Sequence, residues 1–135
     1  MSKSAIYTAN ISTQEVAVDG VINPGTIIRR FGPNLNLSGN AVQICGSGYY
    51  NIDTSFTVVP TEEGEVTITA YLDNVPVQGG VATQTAAAAG DYINLSINCL
   101  IRRPCSCCES LSNLTFVLTG VASSVTNTAI VVEKL

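Results

Sequence analysis

Hydrophobic residues recur at every second position along most of this 135-residue chain, and this alternation limits the folds that the chain can adopt. In the segment GYYNIDTSFTVVP the recurring apolar residues are Tyr50, Ile52, Phe56 and Val58, and most intervening positions are polar. Because successive side chains of a β-strand point to opposite faces, the pattern predicts a strand with one buried and one solvent-facing side. The helical period of 3.6 residues is nearly absent.

The same alternation predicts the other strands. Three further inward-facing sets are Val66, Ile68, Ala70 and Leu72; Ile93, Leu95, Ile97, Cys99 and Ile101; and Leu114, Phe116 and Leu118. Segments around SAIYTAN, GTIIRR, LNLS, AVQIC and NTAIVV predict shorter strands, whereas DNVPVQGG is predicted to turn the chain. About ten short antiparallel strands over residues 1–135 indicate a single all-β domain, a sandwich or barrel with Greek-key or jelly-roll wiring.

The composition of the chain limits the classes of partner that this domain is expected to bind. Hydrophobic residues make up 46% of the chain and charged residues only 12%, yet no apolar run approaches membrane-spanning length, so no membrane insertion is expected. A net charge of −4 with six basic residues argues against nucleic acid as a partner. The start, MSKSAIYTANISTQ, lacks the apolar stretch of a secretory signal peptide, and we therefore expect synthesis in the cytoplasm.

Residues that commonly carry catalysis are scarce. The chain has no histidine, which excludes Ser-His, Cys-His and His-metal chemistry. Glu62, Glu63 and Glu65 cluster on a predicted hairpin turn, where exposure to solvent predicts ordinary acidic groups and no catalytic role. Asp53 and Asp91 fit turn or strand-edge roles better than a catalytic pair. We therefore expect no enzyme activity and no cofactor.

Two segments point to a known family. GSGYYNIDTSFTV resembles the G-x-Y-x-I/F-x-x-x-F/V strand of the C1q/TNF-like jelly-roll superfamily, and AGDYINLSI resembles that family's A-G-D-x-I/V-x-L segment. SGNAVQICGSGYYNI is similar to the heads of collagen-like spore-surface proteins, and phage tail and baseplate proteins carry such heads. The likeness covers residues 37–101. LTFVLTG is only an approximate counterpart of the family's late Phe-x-G-x-Leu strand, and no collagen stalk is expected within the chain.

The resemblance implies a β-sandwich jelly roll that assembles as a homotrimer, with one sheet of each subunit facing the threefold axis. It also implies a structural or adhesive head on a phage particle, spore or cell surface, with a surface protein or glycan as a further partner. Independently, Tyr49, Tyr92 and Leu100 lie on the outward side of otherwise polar strands, and exposed apolar groups among few charges suit an interface. We predict them as trimer contacts; the alternative is that they are ordinary surface residues.

Three of five cysteines lie in the segment PCSCCES, at Cys105, Cys107 and Cys108. Pro104 is predicted to end the preceding strand, which leaves these thiols in a turn. Three states stay open: a reduced loop, a disulfide within the loop or between chains, and a soft-metal site built where copies of the loop meet in a trimer. A ligand- or metal-binding module is accordingly the alternative function.

Two arginine pairs, Arg29 with Arg30 and Arg102 with Arg103, each follow an apolar strand. If these strand ends are adjacent, the four guanidinium groups form a local anion-binding site for a carboxylate, sulfate or phosphate. The alternative is that they flank strands that would otherwise aggregate edge to edge.

Overall fold

Two antiparallel β-sheets packed face to face build the protein, which a computed structural model describes for residues 3–103 and 111–135. Within these ranges there are twelve strands and no helix. The strands are β1 (Ala5–Asn10), β2 (Gln14–Val16), β3 (Gly20–Val21), β4 (Thr26–Phe31), β5 (Leu35–Ser38), β6 (Ala41–Ile44), β7 (Gly48–Pro60), β8 (Gly64–Leu72), β9 (Val75–Ala86), β10 (Ile93–Arg103), β11 (Ser112–Thr119) and β12 (Ser123–Lys134).

The order of the strands is that of a jelly roll. Sheet 1 has the order β10-β7-β12-β1-β4 with β2 also paired to β12, and sheet 2 has the order β5-β6-β11-β8-β9 with β3 paired to β11. No two sequence-consecutive strands are neighbours in sheet 1, so each connection crosses to sheet 2 or passes other strands, unlike a meander. The predicted all-β jelly-roll sandwich is confirmed. The two extra strands, β2 and β3, are three and two residues long, too short to produce an alternating pattern.

Alternation along the strands builds the core between the sheets. In β10 burial alternates without a break from Ile93 to Arg103, so every predicted inward residue of that strand is buried. Phe56 of sheet 1 and Phe116 of sheet 2 meet with their ring centroids 5.5 Å apart, a tilted contact that joins the two layers. Leu72, predicted as inward, is only partly buried, because it lies at the end of β8 against the margin of the core.

The segment DNVPVQGG, predicted as one turn, is a hairpin turn followed by a bulged edge strand. Asp73 and Asn74 turn the chain, both with positive φ (52° and 66°), and β9 begins at Val75. Residues 77–80 then lie opposite Ala70 alone, in a bulge where Gly79 has φ +80°. Two residues of this kind match the favoured hairpin loop between antiparallel strands. Pro76 is tolerated because β9 is the edge strand of sheet 2, where a missing N–H need not cost a ladder hydrogen bond.

Two threonine hydroxyl groups lie in the core without a hydrogen-bond partner among the residues described. Thr8 and Thr128 are both 0% exposed, and both face the interior of sheet 1. Thr54, also buried in this sheet, differs because its hydroxyl accepts from the Ile97 N–H at 3.1 Å and lies 3.3 Å from the Ile97 carbonyl. An unpaired buried hydroxyl costs free energy that a paired one recovers.

We therefore predict opposite effects for two matched substitutions. Thr128→Val should raise the free energy of unfolding by about 1 kcal/mol, since it removes an unpaired polar group at nearly constant volume. Thr54→Val should lower it by about 1 kcal/mol, since it removes a hydrogen-bonded hydroxyl. Urea unfolding of both variants measures the difference, and a Thr128→Val protein as destabilised as Thr54→Val would contradict the assignment.

Candidate functional site

On the outer face of sheet 1 the strand register orders apolar and polar side chains. Four adjacent strands, β10, β7, β12 and β1, supply this face. Its residues include Tyr7, Ala9, Tyr49, Asp53, Ser55, Ser96, Asn98, Leu100, Ala129 and Val131. Near the centre, Asp53, Ser55, Ala129 and Val131 line a shallow depression of about 210 Å³. The face is therefore gently concave, with small side chains at its middle.

Hydrogen bonds fix the polar half of this face. The Asn98 side-chain amide donates to Asp53 Oδ1 across the β10–β7 pair at 3.2 Å. Ser96 Oγ donates to Asn94 Oδ1 at 3.3 Å, and the Asn94 amide donates to Ser55 Oγ at 3.5 Å. Cross-strand pairs of this type hold side chains in one orientation, so the face presents a preorganised pattern of donors and acceptors.

The three predicted contact residues all lie on or beside this face. Tyr49 is 50% exposed on β7, and Leu100 is 54% exposed on β10. Because Tyr49 pairs with Arg102, Leu100 is its diagonal neighbour on the same side of the sheet. Tyr92, 74% exposed, precedes β10 at the opposite end of that strand, roughly 27 Å along the chain from Leu100. The structure thus brings Tyr49 and Leu100 together and leaves Tyr92 apart.

The sequence analysis missed the apolar edge beside this face. All six residues of β4 are exposed, including Ile28 at 52% and Phe31 at 61%. Phe31 pairs with Ala5 of β1, and Ile28 is the extra residue of a bulge in β4, without an opposite residue in β1. Since neither side of β4 is covered, hydrophobic and polar residues do not alternate in TIIRRF. Its consecutive apolar residues Ile27 and Ile28 are the only sequence signal of an exposed apolar edge.

The predicted adjacency of the two arginine-bearing strands is wrong. β4 and β10 are the opposite edges of sheet 1, with β7, β12 and β1 between them, roughly 19 Å apart at the usual strand spacing. Arg29 and Arg102 are exposed. The Arg30 and Arg103 guanidinium groups donate to backbone carbonyls instead, those of Leu35 and Gly46. Anion binding at these arginines stays a prediction.

A buried tyrosine explains the G-x-Y part of the sequence motif. The Tyr50 hydroxyl lies 3.1 Å from both the Cys45 and Gly46 carbonyls, and the Asn34 amide donates to the same Cys45 carbonyl at 2.7 Å. Gly46 has φ +101°, which permits this tight approach. Burial raises the pKa of Tyr50, with the nearby positive charge of Arg103 opposing the rise. The phenol therefore stays a neutral structural donor.

The cysteines divide between the core and a segment outside the described residues. Cys105, Cys107 and Cys108 all lie in 104–110, outside the two described ranges, so their loop, disulfide and metal alternatives stay predictions. Cys45 is half-buried beside Asn34 and Tyr50. Cys99 is buried as predicted, and desolvation raises the pKa of its thiol. In residues 3–103 and 111–135 no three His, Cys, Asp or Glu side chains group as metal ligands.

Cys99 should therefore resist alkylation in the folded protein. A raised pKa keeps the thiol protonated at neutral pH, and burial shields it, whereas the reactive form is an accessible thiolate. Peptide mass mapping after iodoacetamide treatment should find Cys99 unmodified in native protein and fully modified in urea. Equal modification in both conditions would contradict the placement of Cys99 in the core.

Comparisons with known proteins find the fold and no sequence family. Neither protein-family models nor curated proteins match the chain. Among solved structures, murine APRIL at pH 5.0 is similar with a TM-score of 0.71 and 10% identity, over 98% of this chain and 99% of that one. Eiger TNF from S. frugiperda gives 0.69 and 12%, over 98% and 91%.

Two further structures extend the likeness. The globular domain of zebrafish complement 1qA protein gives a TM-score of 0.65 at 6% identity, over 97% of this chain and 95% of that one. The PRD1 vertex protein P5 gives 0.57 at 17%, over 98% and 96%. This chain has the C1q/TNF-like jelly-roll fold. The resemblance drawn from GSGYYNIDTSFTV and AGDYINLSI is thereby confirmed at the level of the fold. In the described residues no helix is long and apolar enough to cross a membrane.

Proposed function

We propose that this protein is a non-catalytic structural or adhesive head that assembles as a homotrimer through the outer face of sheet 1. The observation that carries the proposal is the apolar content of that face in so uncharged a chain. Tyr7 lies beside Val131, and Tyr49 lies beside Leu100 at the β10 side of the face; the two tyrosines and Leu100 are each more than a third exposed. Exposed aromatic and aliphatic groups among few charges are typical of an interface.

The exposed apolar residues also suit a closed ring of copies. One group, Ile28 and Phe31, lies on the β4 edge of sheet 1, and another lies at the β10 edge, around Leu100. An apolar groove of about 250 Å³ between β9 and β10, lined by Val75, Pro76 and Ile101 among others, adjoins the β10 edge. Two different complementary surfaces on one chain make a head-to-tail contact, which closes into a ring when the rotation permits.

Charges on the face favour the same arrangement. Its acidic residues, Asp53 and Glu133, lie on the central strands β7 and β12, whereas Arg29 and Arg102 lie on the two edge strands. In the part of the chain that is described, neither of these two arginines is paired with a carboxylate. Packing an edge of one copy against the middle of the next would bring opposite charges together, which improves specificity.

The proposed setting is a phage particle, spore or cell surface, where the head recognises a surface protein or glycan. In support, one structure of this fold, the PRD1 vertex protein P5, is by name a vertex protein. The scarcity of charge and the Thr-, Ser- and Asn-rich strands agree with such a role. We further propose that residues 1–135 act as one jelly-roll unit without catalytic activity, membrane insertion or nucleic-acid partner.

Native mass spectrometry tests the assembly, with and without reductant and chelator. We expect a mass of three chains that neither reagent changes, since the interface is made of packed side chains. A monomer would contradict the proposal. A trimer that dissociates with reductant or chelator would also contradict it, and would assign assembly to Cys105, Cys107 and Cys108.

A pair of variants locates the interface. Val131→Arg brings one like charge per copy to the centre of the face, and we expect it to convert the trimer to monomers. Thr69→Arg, on the outer face of sheet 2, is the matched control and should leave the mass unchanged. Retention of the trimer by Val131→Arg, or its loss in Thr69→Arg, would contradict this choice of face.

A further inference from the structure

A polar basin of about 480 Å³ lies on the outer face of sheet 2, and the function proposed above does not use it. Three strands and one hairpin turn form it. Its polar lining consists of Ser38 of β5, Gln43 of β6, Asn113 and Thr115 of β11, and Asp73 and Asn74 of the β8–β9 turn. The volume lies within the roughly 300–1,000 Å³ of small-molecule sites.

Most hydrogen-bonding groups of this basin have no partner among the described residues. In residues 3–103 and 111–135 the side chains of Gln43, Asn74, Asn113 and Thr115 make no hydrogen bond. Asp73 accepts the Asn113 N–H through Oδ1 at 2.9 Å, and its Oδ2 has no partner in the same residues. Three amides, two hydroxyl groups and one carboxylate oxygen are therefore available together.

The basin is also rigid. The Asp73 N–H donates to the Asn113 carbonyl at 2.9 Å, so the turn is clamped to β11 from both directions. The two-residue turn itself holds Asp73 and Asn74 at positive φ. Gln43 is the cross-strand partner of Asn113, which fixes their spacing on the floor. Preorganised groups of this kind bind a ligand without the entropic cost of ordering loops.

We propose that the basin binds a neutral saccharide. Amide side chains offer a donor and an acceptor side by side, and a carboxylate oxygen accepts from hydroxyl groups, which together match the vicinal hydroxyl groups of a sugar ring. Among the described residues the lining contains no cation to hold an anion and one acid, too few for a dedicated divalent-metal cage. Tyr71 is the cross-strand neighbour of Thr115 and adds an aromatic surface beside the basin.

This inference deepens the proposed recognition role and rests on it, because it names the glycan as ligand. Sheet 2 faces away from the proposed trimer contacts, so assembly would leave three basins open. Each basin belongs to one protomer, and a single sugar needs no neighbouring copy. A multivalent glycan would then gain affinity from three linked sites.

The test titrates ¹⁵N-labelled protein separately with D-glucose, D-galactose, L-rhamnose and N-acetyl-D-glucosamine, and follows the side-chain amide signals of Gln43, Asn74 and Asn113. We expect at least one sugar to shift these signals saturably with a Kd of ~1–10 mM, typical of so small a polar ligand. Glycerol at equal concentration is the control for general polyol effects. No saturable shift with any of the four sugars, or equal shifts with glycerol, would overturn the proposal.

Variants assign the binding to the basin. The double variant Gln43→Ala with Thr115→Ala should weaken binding at least about tenfold, and Thr69→Ala, on the same face outside the basin, should bind as the parent does. Unchanged binding by the double variant would overturn the proposal. Sugar binding by a monomeric protein would contradict the proposed trimer and leave the saccharide site standing. A trimer that binds no sugar would contradict the saccharide site alone.

Discussion

Burial of one face of each sheet is the constraint on which the rest of this structure depends. Alternating apolar residues from Ile93 to Ile101 and from Tyr50 to Val58 can be covered only if a second sheet packs against them. The contact between Phe56 and Phe116 is where the two layers meet. A two-layer sandwich leaves two outer faces, and what the protein does has to be built on those faces or at the edges between them.

The two outer faces have different chemistry. On sheet 1 tyrosine, leucine, valine and alanine side chains lie around a shallow depression, and two acids lie between arginine-bearing edges. On sheet 2 amides, hydroxyl groups and one carboxylate surround a basin of larger volume that is clamped by the Asp73 turn. Exposed apolar groups favour contact with a protein partner, and polar basins whose groups have no partner in the described residues favour a small polar ligand. We propose that the protein assembles through the outer face of sheet 1 and recognises its ligand through the outer face of sheet 2.

Local pattern determined what could be predicted from the sequence. Strand identity, the inward residues of β7, β10 and β11, and the family fold all follow from alternation and from two short motifs. The positions of Tyr49 and Leu100 on an outer face also followed, because alternation assigns each residue to a side. The prediction of DNVPVQGG as one turn missed the pairing of Val75 and Pro76 in β9, because proline suggests a loop, whereas an edge strand tolerates it.

What escaped prediction depends on residues distant in sequence. The exposed β4 edge carries no periodic signal, because neither of its sides is covered. The separation of the two arginine-bearing strands depends on the sheet order, which periodicity does not encode. The basin joins Ser38 and Gln43 to Asp73 and Asn113 only through the pairing of β6, β11 and β8.

The central claim is that the outer face of sheet 1 is buried between copies, and hydroxyl-radical footprinting of the native protein measures this directly. In one protomer Tyr7 and Tyr49 are 37% and 50% exposed, whereas Tyr71 on sheet 2 is less exposed. If the face is an interface, Tyr7 and Tyr49 will be oxidised more slowly than Tyr71, the reverse of the protomer order. Faster oxidation of Tyr7 and Tyr49 than of Tyr71 would mean that the face is open to solvent, and would contradict the account.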